Sequence, residues 1–282
     1  MKYCRFLLDG HIHYGAVEER DGELWIAGPS PAPAEDLAYR IALQESSAAE
    51  SSAAESSAAG FDFAPMPLRS ADLLPPVTPS KIICVGRNYR EHVRELGNEM
   101  PADPLIFFKP PSSLLAPGGT VVLPAASQRV DFEGELALVI GRRVRRLKPD
   151  APWRDAIRGF TLANDISARD LQKKDTQWTR AKGFDTFCPV GPLVSDELDL
   201  DAGLTIETRL NGELRQHAST LDFIFSVPVL LSFITAAFTL EPGDLILTGT
   251  PSGVAPLSRG DRVEVSMAGL GVLKNTVETD QG

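Results

Sequence analysis

The sequence predicts a mixed, β-rich α/β chain: a roll or barrel of strands with flanking helices, preceded by a small N-terminal β-meander domain. Three observations carry that expectation. Strand-like patterns outnumber helical ones. The two do not alternate as a doubly wound sheet requires. Asp-Gly and Asn-Gly dipeptides, which favour tight hairpins, separate several of the strand-like runs.

Taken in chain order, Tyr3 to Leu8, His11 to Val17 and Glu23 to Ala27 read as strands joined by Asp9-Gly10 and Asp21-Gly22. A linker rich in Pro and Ala follows, from Gly28 to Ala34. Residues 45–59 are three copies of ESSAA. Five residues advance about 140° past a full helical turn, so no fixed apolar stripe forms. Five is also too few for a stacking repeat. The tract is expected to be a frayed helix or coil without a catalytic role. Pro65 to Pro79 holds five prolines and reads as a second linker. The expected division is a small domain over 1–70, containing the tract at 45–59, and a main domain over 71–282.

The main domain's first strand is expected at Lys81 to Gly86. Asn88 is placed to cap a helix running to about Leu96. Further strands are expected at Leu105 to Lys109, Phe132 to Gly141, Gly159 to Asp165, Leu204 to Leu210, Asp244 to Gly249, Arg262 to Met267 and Gly271 to Val277. Asn211-Gly212 marks another hairpin. Helices are expected over 152–158, 167–174 and 226–238.

Composition narrows the partners. There are 28 Lys+Arg against 38 Asp+Glu in 282 residues, a formal net charge of -10. That acidity argues against a general affinity for nucleic acid or anionic membranes, yet a local basic cluster can still hold a small acidic substrate. Cys4, Cys84 and Cys188 are odd in number and lack CxxC spacing, so neither a disulfide framework nor a zinc site is expected. The N-terminus lacks a signal-peptide pattern. Val227 to Leu240, the most apolar run, is broken by Pro228, Ser232 and Thr235 and is too short to span a bilayer. A cytoplasmic chain is expected.

The chemistry-bearing residues begin with Glu133 and Glu135 in Asp131-Phe132-Glu133-Gly134-Glu135. On a strand, positions i and i+2 share a face, so two carboxylates project side by side. Their repulsion calls for a compensating charge, and all-oxygen ligands suit Mg²⁺, Mn²⁺ or Ca²⁺. The same spacing also describes a solvated strand face. Asp165 stands where an apolar strand ends; it completes a carboxylate set or simply caps a helix. His92 and Glu95, three apart on a helix, share a face. A carboxylate beside an imidazole fixes its tautomer and raises its basicity, the arrangement of a general base. A surface pair has the same spacing. Arg87, Lys109 and Lys182 are candidate cations for an acidic substrate, Arg as a bidentate fork and Lys as a point charge. His11 and His13 read as ordinary hairpin residues, and His217 as exposed.

The order of these signals is more specific than any one of them. V-G-R-N-Y-x-x-H-x-x-E (Val85 to Glu95), F-F-K-P-P-S-S (Phe107 to Ser113), D-F-E-G-E-L-A-L-V-I-G (Asp131 to Gly141), N-D-I-S-A-R-D-L-Q (Asn164 to Gln172), A-K-G-F-D-T-F-C-P-V-G-P (Ala181 to Pro192) and T-G-T-P-S-G-V (Thr248 to Val254) follow one another along the chain. This succession resembles the fumarylacetoacetate hydrolase family over roughly residues 70 to 279. The resemblance is to the bacterial branch of acylpyruvate hydrolases, oxaloacetate decarboxylases and tautomerases, and 2-hydroxyhepta-2,4-diene-1,7-dioate isomerases. It implies the family's β-rich fold, a homodimer, and Mg²⁺ or Mn²⁺ held by Glu133, Glu135 and Asp165. It implies a catalytic His92–Glu95 dyad, Lys182 facing the substrate's enolate or carboxylate, and Arg87, Gln172 and Thr250 gripping a small 2-oxo acid. The family's common theme is an enolate stabilised by the metal, from which a C–C, C–CO₂ or C–H bond breaks. A catalytically silent oxo-acid binding protein is the rival reading, opposed by the complete carboxylate set. The ESSAA tract has no counterpart in the family.

Overall fold

The computed structural model describes residues 1–31, 33 and 63–280. The ESSAA tract and part of the first expected linker lie outside the described residues. The meander comes first: β1 (Lys2–Leu8), β2 (His11–Arg20) and β3 (Glu23–Pro29). Asp9 and Gly10 have φ of 52° and 79°, Asp21 and Gly22 51° and 80°. Two consecutive positive φ values are what the tight hairpin turn demands, and Asp-Gly supplies them with little strain.

The stretch expected as a second linker instead contains two short strands, β4 (Met66–Pro67) and β5 (Asp72–Leu74). They pair with β3 and β1. Buried Leu68 between them supplies the apolar anchor that a proline count overlooks. Then follow β6 (Ile82–Gly86), α1 (Arg90–Glu95), β7 (Leu105–Lys109), β8 (Leu114–Leu115), β9 (Thr120–Leu123), β10 (Val130–Asp131), β11 (Gly134–Ile140), β12 (Ile157–Asn164) and β13 (Ser167–Ala168). The chain continues through α2 (Arg169–Lys174), α3 (Thr179–Lys182), β14 (Cys188–Ser195), β15 (Thr205–Leu210), β16 (Glu213–Ser219), α4 (Val227–Ala237), β17 (Leu245–Leu247), β18 (Arg262–Met267) and β19 (Gly271–Thr279).

The fold is β-rich with few helices, as expected, but among the described residues the sheets are open and mixed and close no barrel. The large sheet runs β4-β3-β2-β1-β14-β12-β11-β17-β6-β7, with β5 and β8 alongside. A five-stranded sheet runs β16-β15-β18-β19-β9. At the centre of the large sheet, Leu136, Leu138 and Ile140 of β11 join one apolar cluster with α4 and with Ile206 and Val265 of the smaller sheet. Ala137 and Val139 face a second cluster with Ile82, Cys84 and Leu247. Both faces are covered, which is why this strand is a continuous apolar run rather than an alternating one. All three cysteines are free and buried.

Several helical expectations contract. The segment 152–158 is a single 3₁₀ turn at Trp153–Ala156, after which β12 begins. The segment 167–174 becomes helical only at Arg169, because Ser167 and Ala168 first pair with Asp131 and Val130. Asn88 is no helix cap: α1 follows Tyr89 without a side-chain cap. The Asn88 amide is wholly buried instead, donating to Phe225 O and Thr248 O and accepting from Phe225 N–H. No described helix is long and apolar enough to cross a membrane.

Candidate active site

Four central strands deliver the site. β6 and β17 are parallel, and β12 runs antiparallel to β11, as β17 does. The C-terminal ends of β6, β12 and β17 therefore meet the N-terminal end of β11. A cavity of about 460 Å³ opens there. Arg87, His92, Glu95, Glu133, Glu135, Asp165, Gln172, Lys182 and Thr250 all line it, so residues spread over more than half the chain share one wall.

Glu133 does not lie on the strand, as the i, i+2 argument supposed; β11 begins one residue later, at Gly134. Glu133 is fixed by other means. Its N–H donates to Asn164 Oδ1 at 2.8 Å, and its carbonyl accepts from Asp165 N–H at 2.8 Å. Asp165 caps no helix, since α2 starts at Arg169. Both carboxylates are thus held at the β11–β12 junction. Glu133, Glu135 and Asp165 are all buried, and one ligand oxygen of each lies within 4.8 Å of the others. A solvated strand face is ruled out.

Three cations serve these acids. Lys182 Nζ lies 2.6 Å from Glu133 Oε2 and 2.7 Å from Asp165 Oδ2. Lys109 Nζ donates to Asp165 Oδ1 at 2.7 Å and to Ile166 O at 3.2 Å. Arg169 pairs with Glu133 Oε1 at 2.6 Å and donates through Nε to Asp131 Oδ2 at 2.9 Å and through Nη1 to Gln172 Oε1 at 3.1 Å. Arg129 closes the far side of Asp131 with two hydrogen bonds. Burial opposes ionisation of Glu133, but Arg169 and Lys182 outweigh it and hold its carboxyl far below the usual range. Burial also opposes the charged form of Lys182, and Asp165 with Glu133 outweighs it, so its ammonium is raised.

Glu135 is left out of this pairing. Its hydrogen bond comes from Gly249 N–H, at 2.7 Å. Burial first, then repulsion from Asp165 and Glu133, push its carboxyl well above the usual range. A buried all-oxygen set with one under-compensated carboxylate is what a hard dication would relieve, so the residues present fit Mg²⁺ or Mn²⁺.

His92 is buried, and its Nδ1 lies 3.0 Å from Glu95 Oε2. Glu95 Oε1 accepts from Gly253 N–H at 2.9 Å. Burial disfavours the Glu95 carboxylate, yet His92 and the Gly253 N–H hold its carboxyl below the usual value. With Nδ1 engaged, Nε2 is the ring nitrogen left for the cavity. Arg87 lines the cavity with φ of 58°, a left-handed backbone at a non-glycine residue. Among the described residues its guanidinium has no hydrogen bond or ion pair. Thr250 also lines the cavity. Its hydroxyl donates to Gly134 O at 2.9 Å and accepts from Gln216 at 2.8 Å, so its proton is already committed.

Lys109, expected as a cation for an acidic substrate, is instead committed to Asp165 and is not among the residues lining the cavity, while Arg169 and Gln216 were not expected at the site. The apolar setting of Lys109, between Phe108 and Pro110, was the available signal. His11 is exposed and His13 packs on Phe6 at 5.8 Å between ring centroids, away from the cavity; His217 is exposed.

The profile described as fumarylacetoacetate (FAA) hydrolase C-terminal matches residues 81–278. Protein Rv2993c of Mycobacterium tuberculosis is 49% identical over 213 residues, 75% of this chain and 80% of that protein. Oxaloacetate tautomerase FAHD1, mitochondrial, of Arabidopsis thaliana is 43% identical over 204 residues, 71% of this chain and 91% of that protein. The crystal structure of 2-hydroxyhepta-2,4-diene-1,7-dioate isomerase from Mycobacterium marinum superposes with a TM-score of 0.79 at 37% identity, covering 100% of both chains.

Proposed function

The chain belongs to the fumarylacetoacetate hydrolase family, and from that premise we propose that it is a divalent-metal-dependent enzyme acting next to the ketone of short 2-oxo acids, with keto–enol isomerisation as its first activity. The observation that carries the reading is the meeting, in one cavity, of a buried Glu133–Glu135–Asp165 set with Lys182 and the His92–Glu95 pair. The tautomerase and isomerase among its relatives support the reaction class.

Mg²⁺ or Mn²⁺ held by the three carboxylates would supply Lewis-acid stabilisation of negative charge on the 2-oxo acid's oxygens. The chain's own residues do the rest. Lys182, on a flexible stem between Glu133 and Asp165, offers its ammonium to a substrate oxygen. Arg87 clamps a substrate carboxylate and Gln172 orients it. Glu95 holds His92 through Nδ1, so that Nε2 accepts a proton from the carbon beside the ketone and delivers it to the former ketone oxygen, completing the enol and leaving the imidazole neutral again. Thr250 serves by holding the Gly134 carbonyl rather than by donating to substrate. The proposed active form is a cytoplasmic homodimer.

Hydrolysis of acylpyruvates is the second reading, favoured by the same His92 Nε2, which can activate a water instead. A turnover panel of oxaloacetate, acetylpyruvate and a plain ester, with Mg²⁺ and with or without oxalate, separates them. Metal-dependent turnover of the 2-oxo acids, competitively inhibited by oxalate, is expected; acetylpyruvate cleavage without enol conversion would promote the second reading. Binding of 2-oxo acids without any turnover would leave only a silent binding protein.

A further inference from the structure

The loop after β17 touches both halves of the site: Gly249 N–H donates to Glu135 and Gly253 N–H to Glu95. What holds this loop comes from the smaller sheet. Gln216, in the middle of β16, is the buried member of that strand and is 0% exposed. Its Oε1 accepts from Gly134 N–H at 3.0 Å. Its Nε2 donates to Thr250 Oγ1 and to Pro251 O, each at 2.8 Å. Thr250 Oγ1 then donates to Gly134 O at 2.9 Å. The four bonds leave no freedom of assignment. Gly134 N–H needs an acceptor and Pro251 O a donor, which fixes the amide's orientation and the direction of the Thr250 proton.

The approach is close on every side. A Cβ at position 134 would lie 2.1 Å from Thr208 Oγ1, so β15 packs directly on the glycine between the two glutamates. A Cβ at position 253 would lie 1.9 Å from Arg215 O. Arg215 is the extra residue of a bulge, since Thr208 pairs with Gln216 while Arg209 pairs with Leu214. A bulge re-aims side chains locally. Here it brings Gln216 inward and sets the β16 backbone against Gly253.

We infer that Gln216 is a positioning residue that sets the Glu133–Gly134–Glu135 backbone against the loop orienting Glu95, tying the carboxylate set to the His92 dyad. It touches neither substrate nor reacting atoms. The effect on metal rests on the function proposed above, whereas the effect on the Gly134 amide does not. Gln216→Met keeps length and burial and removes all three bonds; Thr250→Val opens the ring and Thr250→Ser preserves it. The probes are Mn²⁺ titration followed by electron paramagnetic resonance, and amide hydrogen exchange at Gly134 without metal. Gln216→Met and Thr250→Val should each weaken Mn²⁺ binding about 10- to 100-fold, the usual cost of an outer-shell partner. Each should also speed exchange at Gly134. Thr250→Ser should do neither, and the double variant should be no worse than either single, because one ring is opened only once. Wild-type Mn²⁺ affinity and Gly134 protection in either disrupted variant, or additive losses in the double, would overturn the assignment. Should Gln216→Met fail to fold, Thr250→Val against Thr250→Ser decides it. If the wild type itself bound no Mn²⁺, the metal reading would fall and the exchange at Gly134 would still decide this one.

Discussion

Glu133 and Glu135 are chemically identical and two residues apart, yet their surroundings separate them. Glu133 has Arg169 and Lys182 against it, while Glu135 has two other carboxylates and a backbone N–H. One is locked ionised; the other needs a further cation before it is comfortable. His92 shows the same dependence on neighbours. A positioned general base typically contributes ~10²–10⁴-fold, so His92→Ala should slow isomerisation and hydrolysis by about that factor while Mn²⁺ titrates as in wild type. Loss of metal binding in that variant would make His92 part of the carboxylate site instead. At this scale the sequence was readable where partners share one element, as in His92/Glu95 on α1, whereas the strand spacing argued for Glu133/Glu135 did not hold, because β11 begins only at Gly134. The sequence was silent where partners are distant: Lys109 meets Asp165 across 56 positions and Gln216 meets Gly134 across 82. Spacing rules describe one helix or one strand and say nothing about such pairs.

Among elements, the parallel β6–β17 pair decides where the site forms, because both strands end there. Asp244 sets that pair at its opposite end. Its buried carboxylate accepts from Ser80 N–H and Lys81 N–H, both at 3.1 Å, from Ser80 Oγ at 2.6 Å and from Glu241 N–H at 2.8 Å, and pairs with the Lys81 ammonium. Asp244→Ala leaves buried donors without an acceptor, at about 1–3 kcal/mol. A lowered melting temperature by calorimetry, with Mn²⁺ affinity of the folded protein retained, is the expected result. An unchanged melting temperature would mean that the backbone pairing alone sets the register. Hairpins were legible because Asp-Gly and Asn-Gly have few alternatives; Asn211 and Gly212 also show positive φ, 54° and 84°. Helix limits were less so. Asn88 has the composition of a cap, but its amide is claimed by Phe225 and Thr248, and tertiary hydrogen bonds override a local preference.

For the whole molecule, the β-rich class followed from the excess of strand-like runs, while the open path of the large sheet did not. Strand order depends on which runs pair, and β1 with β14 or β12 with β14 are joined over long separations that periodicity does not encode. Residues 45–59 present no periodic apolar face in sequence, so their deletion should leave turnover and melting temperature nearly unchanged; a large fall in either would give that tract a role in the fold. In the proposed function, Glu133, Glu135 and Asp165 hold the dication on which 2-oxo acid turnover depends. Mn²⁺ titration of the wild type and of Glu135→Ala, with turnover followed in the same samples, tests it most directly. Mn²⁺ binding and activity are expected in the wild type, with loss of both in a still-folded Glu135→Ala; a variant that titrates Mn²⁺ and turns over like wild type would remove these carboxylates from the reaction.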